Sequence, residues 1–542
     1  LAVTLLLLQT ACRSTPAQDS GGTLLPQQAA YDVTFYDLEI AVHPDTKRIR
    51  GTLTVRALVT QPLEHFVLHL DRRLTVETAD VLPGSDDMPV ERRADSNQVW
   101  IELPEVARPG DSLRVAVTYS GTPRVAPQPP WDGGFTWDQT PGGAPWIATS
   151  GQTEGADLWW PVKDHPSDEP DSMGIAVTVP DTLIAASNGV LRSVERSSDS
   201  TRTFRWHVST PINTYGVALN IAPYAVIDTT YASTSGMDVP VSFYAVPTDS
   251  NRARSALPHL LDQVRFLEET LGPYPFRADK YGIAQTPFLG MEHQTIIAYG
   301  NDFNRSGGLG YDAGFDALHF HELAHEWYGN CLTVRDWKDF WLHEGFATYL
   351  EALYAESLRG MDGYRETTRY FRGEISGGTQ IARHEATTAE SIYGRDVYYK
   401  GALVLHTLRY VIGEEALRTV LRRFVNPTEE AAESVDGSPC RHVTTADFVQ
   451  LAEEVSGQQL DGFFTVYLYQ SELPHLETTR DGTTLTLRWT NTGDAPFPVP
   501  VPVSVDGETR RVDMSGGAAT LEVGRNAEVV VDPDGWILRA EE

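Results

Sequence analysis

The stretch "HELAHEWYGNCLTVRDWKDFWLHEG", His321 to Gly345, gathers the residue types that hold and use a metal ion. On an α-helix, positions four apart share one face about one turn apart. His321 and His325 therefore offer two imidazoles to a single ion, and Glu322, one residue along, reaches a ligand on its open side. This is the His-Glu-x-x-His arrangement in which the glutamate is general base toward zinc-activated water. Catalytic zinc keeps three protein ligands and one open position. Glu344, after an eighteen-residue spacer, opens the next helical stretch, "WLHEGFATYLEALYAE", and supplies the third. A polar helix face with satisfied side chains accounts for the pair of histidines but not for a third ligand at this spacing.

Three neighbours compete for roles. His319 lies about 200° round the helix from His321, so packing or hydrogen bonding is its expected part. His343, about 100° from Glu344, reads the same way. Glu351, seven residues after Glu344, shares its helix face two turns on. It either orients a ligating histidine from behind or is a solvated glutamate.

The elements that must position these groups show in the patterning. From about 31 to 225, segments such as "DVTFYDLEIAV", "IRGTLTVRALV", "SLRVAVTYS", "MGIAVTV", "RTFRWHVS" and "TYGVALNIA" alternate apolar and polar residues between turn signals, which predicts an all-β domain. The loop "VAPQPPWDGGFTWDQTPGGAPW" interrupts it, and its tryptophans either pack on the sheet or line a cleft. Near 250 the period changes. "SALPHLLDQVRFLEETLG" puts Leu257, Leu260, Leu261, Val264, Leu267 and Leu271 on one stripe, stopped by Gly272 and Pro273. Further helices are predicted at about 313–330, 342–358, 400–412, 414–425 and 445–455, the last with a capping box at Thr444 and Asp447. Strands return after Pro474 in "TTLTLRWTN", "VPVSVD" and "AEVVVDP". The expected fold is multidomain α+β: a segment over 1–30, a β domain over 31–234, a mostly helical domain over 235–473 and a small β-sandwich over 474–542.

Composition narrows the partners. The 542 residues are 41% hydrophobic and 22% charged, an ordinary globular balance. The net charge of −31 argues against nucleic acid or an anionic membrane surface as partner, and against self-association, so a monomer is expected. The apolar run "LAVTLLLLQTAC" resembles the end of a bacterial lipoprotein signal, with Cys12 as lipid anchor and residues 13–30 as a flexible tether. Export, to the periplasm or as an anchored lipoprotein, is the expectation. Cys331 and Cys440 are too few for a disulfide framework.

Together, "HELAHEWYGN" and "WLHEGFATYLE" resemble the gluzincin zinc aminopeptidases, the family of aminopeptidase N and leukotriene hydrolase. "FLGMEHQTI" is similar to that family's Gly-x-Met-Glu-Asn signature. The resemblance implies that Glu292 binds the substrate's free α-amino group, with Gly290 and Met291 as further substrate-binding residues and His293 where the family has asparagine. In "VYYKGALVLHTLR" it makes Tyr398 the oxyanion donor. In "TSGQTEGADLWW" it makes Gln152 a second anchor for the amino terminus, with Ser150 where the family has glutamine. It further implies a saddle-like N-terminal domain, a thermolysin-like catalytic domain, one Zn2+ per chain and peptide substrates with a free N-terminus. Because the sequence stops soon after "VVVDPDGWIL", the helical C-terminal domain of many members is expected to be missing and the cleft open. The competing expectations are an epoxide hydrolase on the same scaffold and a non-catalytic binding module of this fold.

Overall fold

A computed structural model describes residues 19–540 apart from 198 and 306–310. The proposed lipid anchor at Cys12 lies outside the described residues. The alternating segments become strands with the expected sidedness. In Tyr31–His43 the buried residues include Val33, Tyr36, Leu38, Ile40 and Val42, while Asp37 and Glu39 point outward. This strand sits inside a seven-stranded sheet, antiparallel to Arg48–Val59 and parallel to Ser172–Pro180. The long Trp-rich loop holds structure of its own. Gly134–Gln139 and Pro145–Ser150 pair as a hairpin within a four-stranded sheet. "TYGVALNIA" forms only the short strand Asn220–Ala222, in that same sheet.

A five-stranded sheet then runs in the order Ala225–Ala232, Asp238–Ala245, Tyr281–Gln285, Ile297–Tyr299, Gly290–Met291. It spans the expected 234/235 boundary, because Ala225–Ala232 and Asp238–Ala245 are paired neighbours. Helix α1 (Ser250–Leu271) buries Leu257, Leu260, Val264, Leu267 and Leu271, with Leu261 half-buried at the edge of the stripe. Gly272, at φ 114°, ends it in a conformation that favours glycine.

Helix α2 (Ala317–Ala324) carries the His-Glu-x-x-His motif and is shorter than the 313–330 expected. Asp316 caps its start by accepting from the His319 backbone N–H at 3.1 Å, and the chain turns away near Gly329, at φ 142°. Helix α3 (Trp341–Glu374) carries Glu344 and is interrupted at Gly360 (φ 65°, ψ −162°). Helix α4 (Arg395–Ile412) carries Tyr398. The helix Thr445–Ser456 starts with the capping box predicted for Thr444 and Asp447. Two three-stranded sheets follow, centred on Thr484–Thr490 and Val501–Val505, and Leu485, Leu487, Val501 and Val503 join the core of the helical region. The architecture is the expected multidomain α+β.

One expectation is corrected. Residues 19–30 are not a free tether: Ser20 and Gln28 are buried, and Pro26–Ala29 forms a helical turn. Composition suggested flexibility, but the segment finds backbone partners in two distant loops. Cys331 and Cys440 form a single disulfide, a lone bridge and not a framework, beside the parallel match of Leu332–Val334 with Arg441–Val443. Among the described residues, no helix is long and apolar enough to cross a membrane.

Candidate active site

Element ends deliver the site residues. Strand Pro145–Ser150 runs out just before Gln152, edge strand Gly290–Met291 just before Glu292, and Glu344 and Tyr398 stand in the first turns of α3 and α4. All of them, with His321, Glu322, His325 and Glu351, line one cavity of about 430 Å³. Glycines permit the convergence. A Cβ on Gly345 would lie 2.9 Å from the Gly401 Cα, so α3 and α4 approach more closely than side chains allow. A Cβ on Gly290 would lie 2.7 Å from Glu322 Oε1.

At the cavity base, His321 Nε2 lies 3.1 Å from His325 Nε2 and 3.2 Å from Glu344 Oε2, with His325 Nε2 3.3 Å from the same oxygen. The other ring nitrogens are already used. His321 Nδ1 donates to Glu351 Oε1 at 2.9 Å, and His325 Nδ1 to the Tyr328 carbonyl at 2.9 Å. With Nδ1 of each ring engaged by its own acceptor, both Nε2 atoms are turned toward Glu344 Oε2. Two imidazoles and one carboxylate converging in this way fit zinc, and the bonds behind the histidines fix their orientation. A second cluster of Glu292, Glu322 and His325 borders it.

The electrostatics favour a cation here. Burial opposes ionisation of Glu344, but His325 and His321 outweigh it and hold the carboxyl well below its usual range. Burial pushes Glu322 up to about 8, against the pull of His321 and with the push of Glu292. Burial also raises Glu292, opposed by His325. A buried carboxyl poised near neutrality is suited to moving protons.

Gln152 donates from its amide to Glu292 and, at 3.1 Å, to Glu344 Oε1, so residues from two domains meet across the cavity. Tyr398 lies beside His321, with ring centroids 5.9 Å apart, and its hydroxyl is 3.0 Å from that of Tyr393. Glu351 is buried rather than solvated and also accepts from the Tyr311 hydroxyl at 3.0 Å. His319 hydrogen-bonds Tyr281 and Gln263, and His343 accepts from the Val334 N–H at 2.9 Å, so both are packing residues. His293 is fully buried away from the cavity, and burial lowers its pKa to about 3.

Sequence reasoning missed several cavity residues. Thr348 carried a signal, being four residues after Glu344 on the same helix face. Tyr311 and Pro130 carried none, since loops bring them in, and Tyr393 was visible only as a neighbour of Tyr398. The tryptophans of the long loop divide: Trp131 lines the cavity, Trp137 stacks on Phe135, and Trp146 donates to the Gln285 carbonyl.

Residues 33–215 match the Peptidase M1 N-terminal domain, and residues 271–467 the Peptidase family M1 domain. Human endoplasmic reticulum aminopeptidase 1 is 25% identical over 76% of this chain and 46% of its own length. Pig glutamyl aminopeptidase is 24% identical over 81% of this chain and 47% of its own. The chain thus spans under half the length of these relatives. Among solved structures, an M1 zinc metallopeptidase variant from Deinococcus radiodurans bound to the substrate Tyr-Ser-Ala is 26% identical. It superposes with a TM-score of 0.67 over 84% of this chain and 98% of its own. A two-domain M1 zinc metallopeptidase variant bound to L-tryptophan is also 26% identical, with a TM-score of 0.66 over 85% and 99%. Matched in both domains, and with a donor set that fits Zn2+ at the base of its cavity, the chain belongs to peptidase family M1, among the gluzincin aminopeptidases.

Proposed function

We propose that this protein is a zinc metallo-aminopeptidase that removes the N-terminal residue of peptides. One observation carries the reading: Glu292 and Gln152 line the same cavity as His321, His325, Glu344 and Glu322, and stand directly beside that donor set. Zinc held by His321, His325 and Glu344 would supply Lewis-acid polarisation of the scissile carbonyl and make water acidic near neutral pH. Glu322 takes the proton from the attacking water and returns it to the leaving amine. The Tyr398 hydroxyl donates to the oxyanion that forms on the carbonyl. Glu292 and the Gln152 side-chain oxygen receive the substrate's α-ammonium, so the cut falls one residue from the free end. The tripeptide and L-tryptophan in the two structural relatives support a cavity that accepts an aromatic N-terminal residue.

The test compares free and N-acetylated forms of one peptide. Free peptides are expected to be cleaved at the first bond and acetylated ones to resist. Efficient cleavage of acetylated peptides would sink the aminopeptidase reading. Export belongs to the same proposal, supported by a disulfide of the kind that persists in oxidising compartments. Fatty-acid labelling lost in Cys12→Ser would support the anchored form, and unlabelled parent protein would refute it.

A further inference from the structure

The segment Asp19–Gly22 joins Thr153, which lines the cavity, to the Thr387–Glu390 segment, which leads to Tyr393 on the same lining. On one side, the Ser20 N–H donates to the Thr153 carbonyl at 3.0 Å, next to Gln152. On the other, the Gly22 N–H donates to Thr387 O at 3.1 Å, and the Ala389 N–H to Ser20 O at 3.0 Å. The Glu390 N–H donates to Asp19 Oδ1 at 2.9 Å, so an outside carboxylate satisfies the free backbone of the helical turn Ala389–Ile392. That turn leads straight to Tyr393: its N–H donates to Ala389 O at 2.9 Å and its hydroxyl meets Tyr398. Trp337 Nε1 donates to Ser20 Oγ at 3.2 Å, and His165 Nε2 to Gly22 O at 3.0 Å. Gly21 fits only as glycine, because its φ is 86° and a Cβ would run into the Trp337 ring.

We propose that Asp19–Gly22 is a positioning strap. By bonding the Gln152–Thr153 turn and the Thr387–Glu390 segment at once, it fixes the spacing between the amine anchor and Tyr398. The inference rests on the aminopeptidase reading of the site. The strap touches neither substrate nor metal ligand. Loosening it leaves the zinc donors in place but lets the oxyanion donor drift from the carbonyl that Glu292 and Gln152 have placed. Misplacement of that kind falls mainly on the transition state.

The experiment uses the full chain and three variants, Asp19→Ala, Asp19→Asn and Gly21→Val, with an aminoacyl-coumarin substrate and zinc analysis. Asp19→Ala removes the acceptor for Glu390 and should lower kcat about ten-fold, with KM within about two-fold and zinc content unchanged. Asp19→Asn keeps an oxygen at the same position and should restore the parent kcat, which a general loss of folding would not do. Gly21→Val should reproduce the Ala effect where it folds. Parent kcat in Asp19→Ala overturns the strap while leaving the aminopeptidase reading intact, as does an Asn variant no better than Ala. A zinc-loaded parent that cleaves no aminoacyl substrate overturns both.

Discussion

Gly401→Ala tests whether the approach of α3 and α4 sets the catalytic geometry. A Cβ at residue 401 would lie 2.9 Å from the Gly345 Cα and 3.6 Å from its N, both backbone atoms with no flexible end to yield. Carbon–carbon contacts settle at about 3.5–4.0 Å, so the helices must part by roughly 1 Å. Gly345 follows Glu344 directly, and Gly401 lies less than one turn after Tyr398. On the proposed roles, the parting therefore separates the metal-ligand carboxylate of Glu344 from the oxyanion-binding hydroxyl of Tyr398. A misplacement of about 1 Å costs on the order of 10²-fold in rate, or about 2.7 kcal/mol at 1.36 kcal/mol per ten-fold. Overpacking should also cost about 1–3 kcal/mol of stability. The assay measures kcat and KM on an aminoacyl-coumarin, zinc per chain and the thermal midpoint. Gly373→Ala is the control: it lies on the same helix as Gly345, and its Cβ would meet nothing within 4 Å, so it should be harmless. A folded Gly401→Ala enzyme with kcat within two-fold of the parent would refute the argument.

Tyr398→Phe should lower kcat by about 10²–10³ with little change in KM, as expected for a bond made only in the transition state; unchanged kcat would move the role to its partner Tyr393. Glu351→Gln removes the charge behind His321 and should weaken zinc affinity about 10–100-fold in chelator competition, whereas equal affinity would mean the 2.9 Å bond does not orient the ring. Asp157→Asn concerns stability. Asp157 Oδ2 accepts from Asn97 at 2.9 Å, Oδ1 has no hydrogen-bond partner among the described residues, and burial raises its pKa well above the ordinary 3.8. The folded state therefore holds this proton more tightly than the unfolded chain. The stability it contributes is full below about pH 3.8 and is lost as pH rises through the raised folded value. The asparagine should raise the thermal midpoint more at pH 8 than at pH 4, and equal gains at both would rule out ionisation as the cause.

What could be read from sequence was what one helix turn encodes. His321 and His325 face one point because they are four residues apart, and Glu351 shares a face with Glu344 because they are seven apart. The Thr444–Asp447 cap is likewise local. Glu292, Gln152 and Tyr398 had no such local geometry, and only their resemblance to family motifs singled them out. The disulfide joins residues 109 apart, and the Trp337–Ser20 bond residues 317 apart. No period or propensity links such pairs. The segment 13–30 read as a tether because its Ser, Gly and Gln content lacks an apolar stripe. Its order from Asp19 onward comes instead from backbone N–H and C=O groups, which every composition supplies.

The same distinction explains where the site is built. Gln152 and Glu292 follow short strands, while Glu344 and Tyr398 begin long helices, so each side chain is held by a rigid element yet sits where the backbone can turn toward a common point. Rigid ends converge only if their backbones can come close, and Gly290, Gly345 and Gly401 stand where a Cβ would fall within 3 Å of Glu322 or of another backbone. These glycines carry no chemistry, but the distances among the groups that do depend on them. Substitutions there should therefore act on kcat through geometry, with metal content intact, whereas substitutions at His321, His325 or Glu344 should act on metal content first. Zinc analysis beside kcat separates the two classes, and loss of zinc from an otherwise folded Gly345→Ala protein would show that the glycine contact serves the ligand site itself.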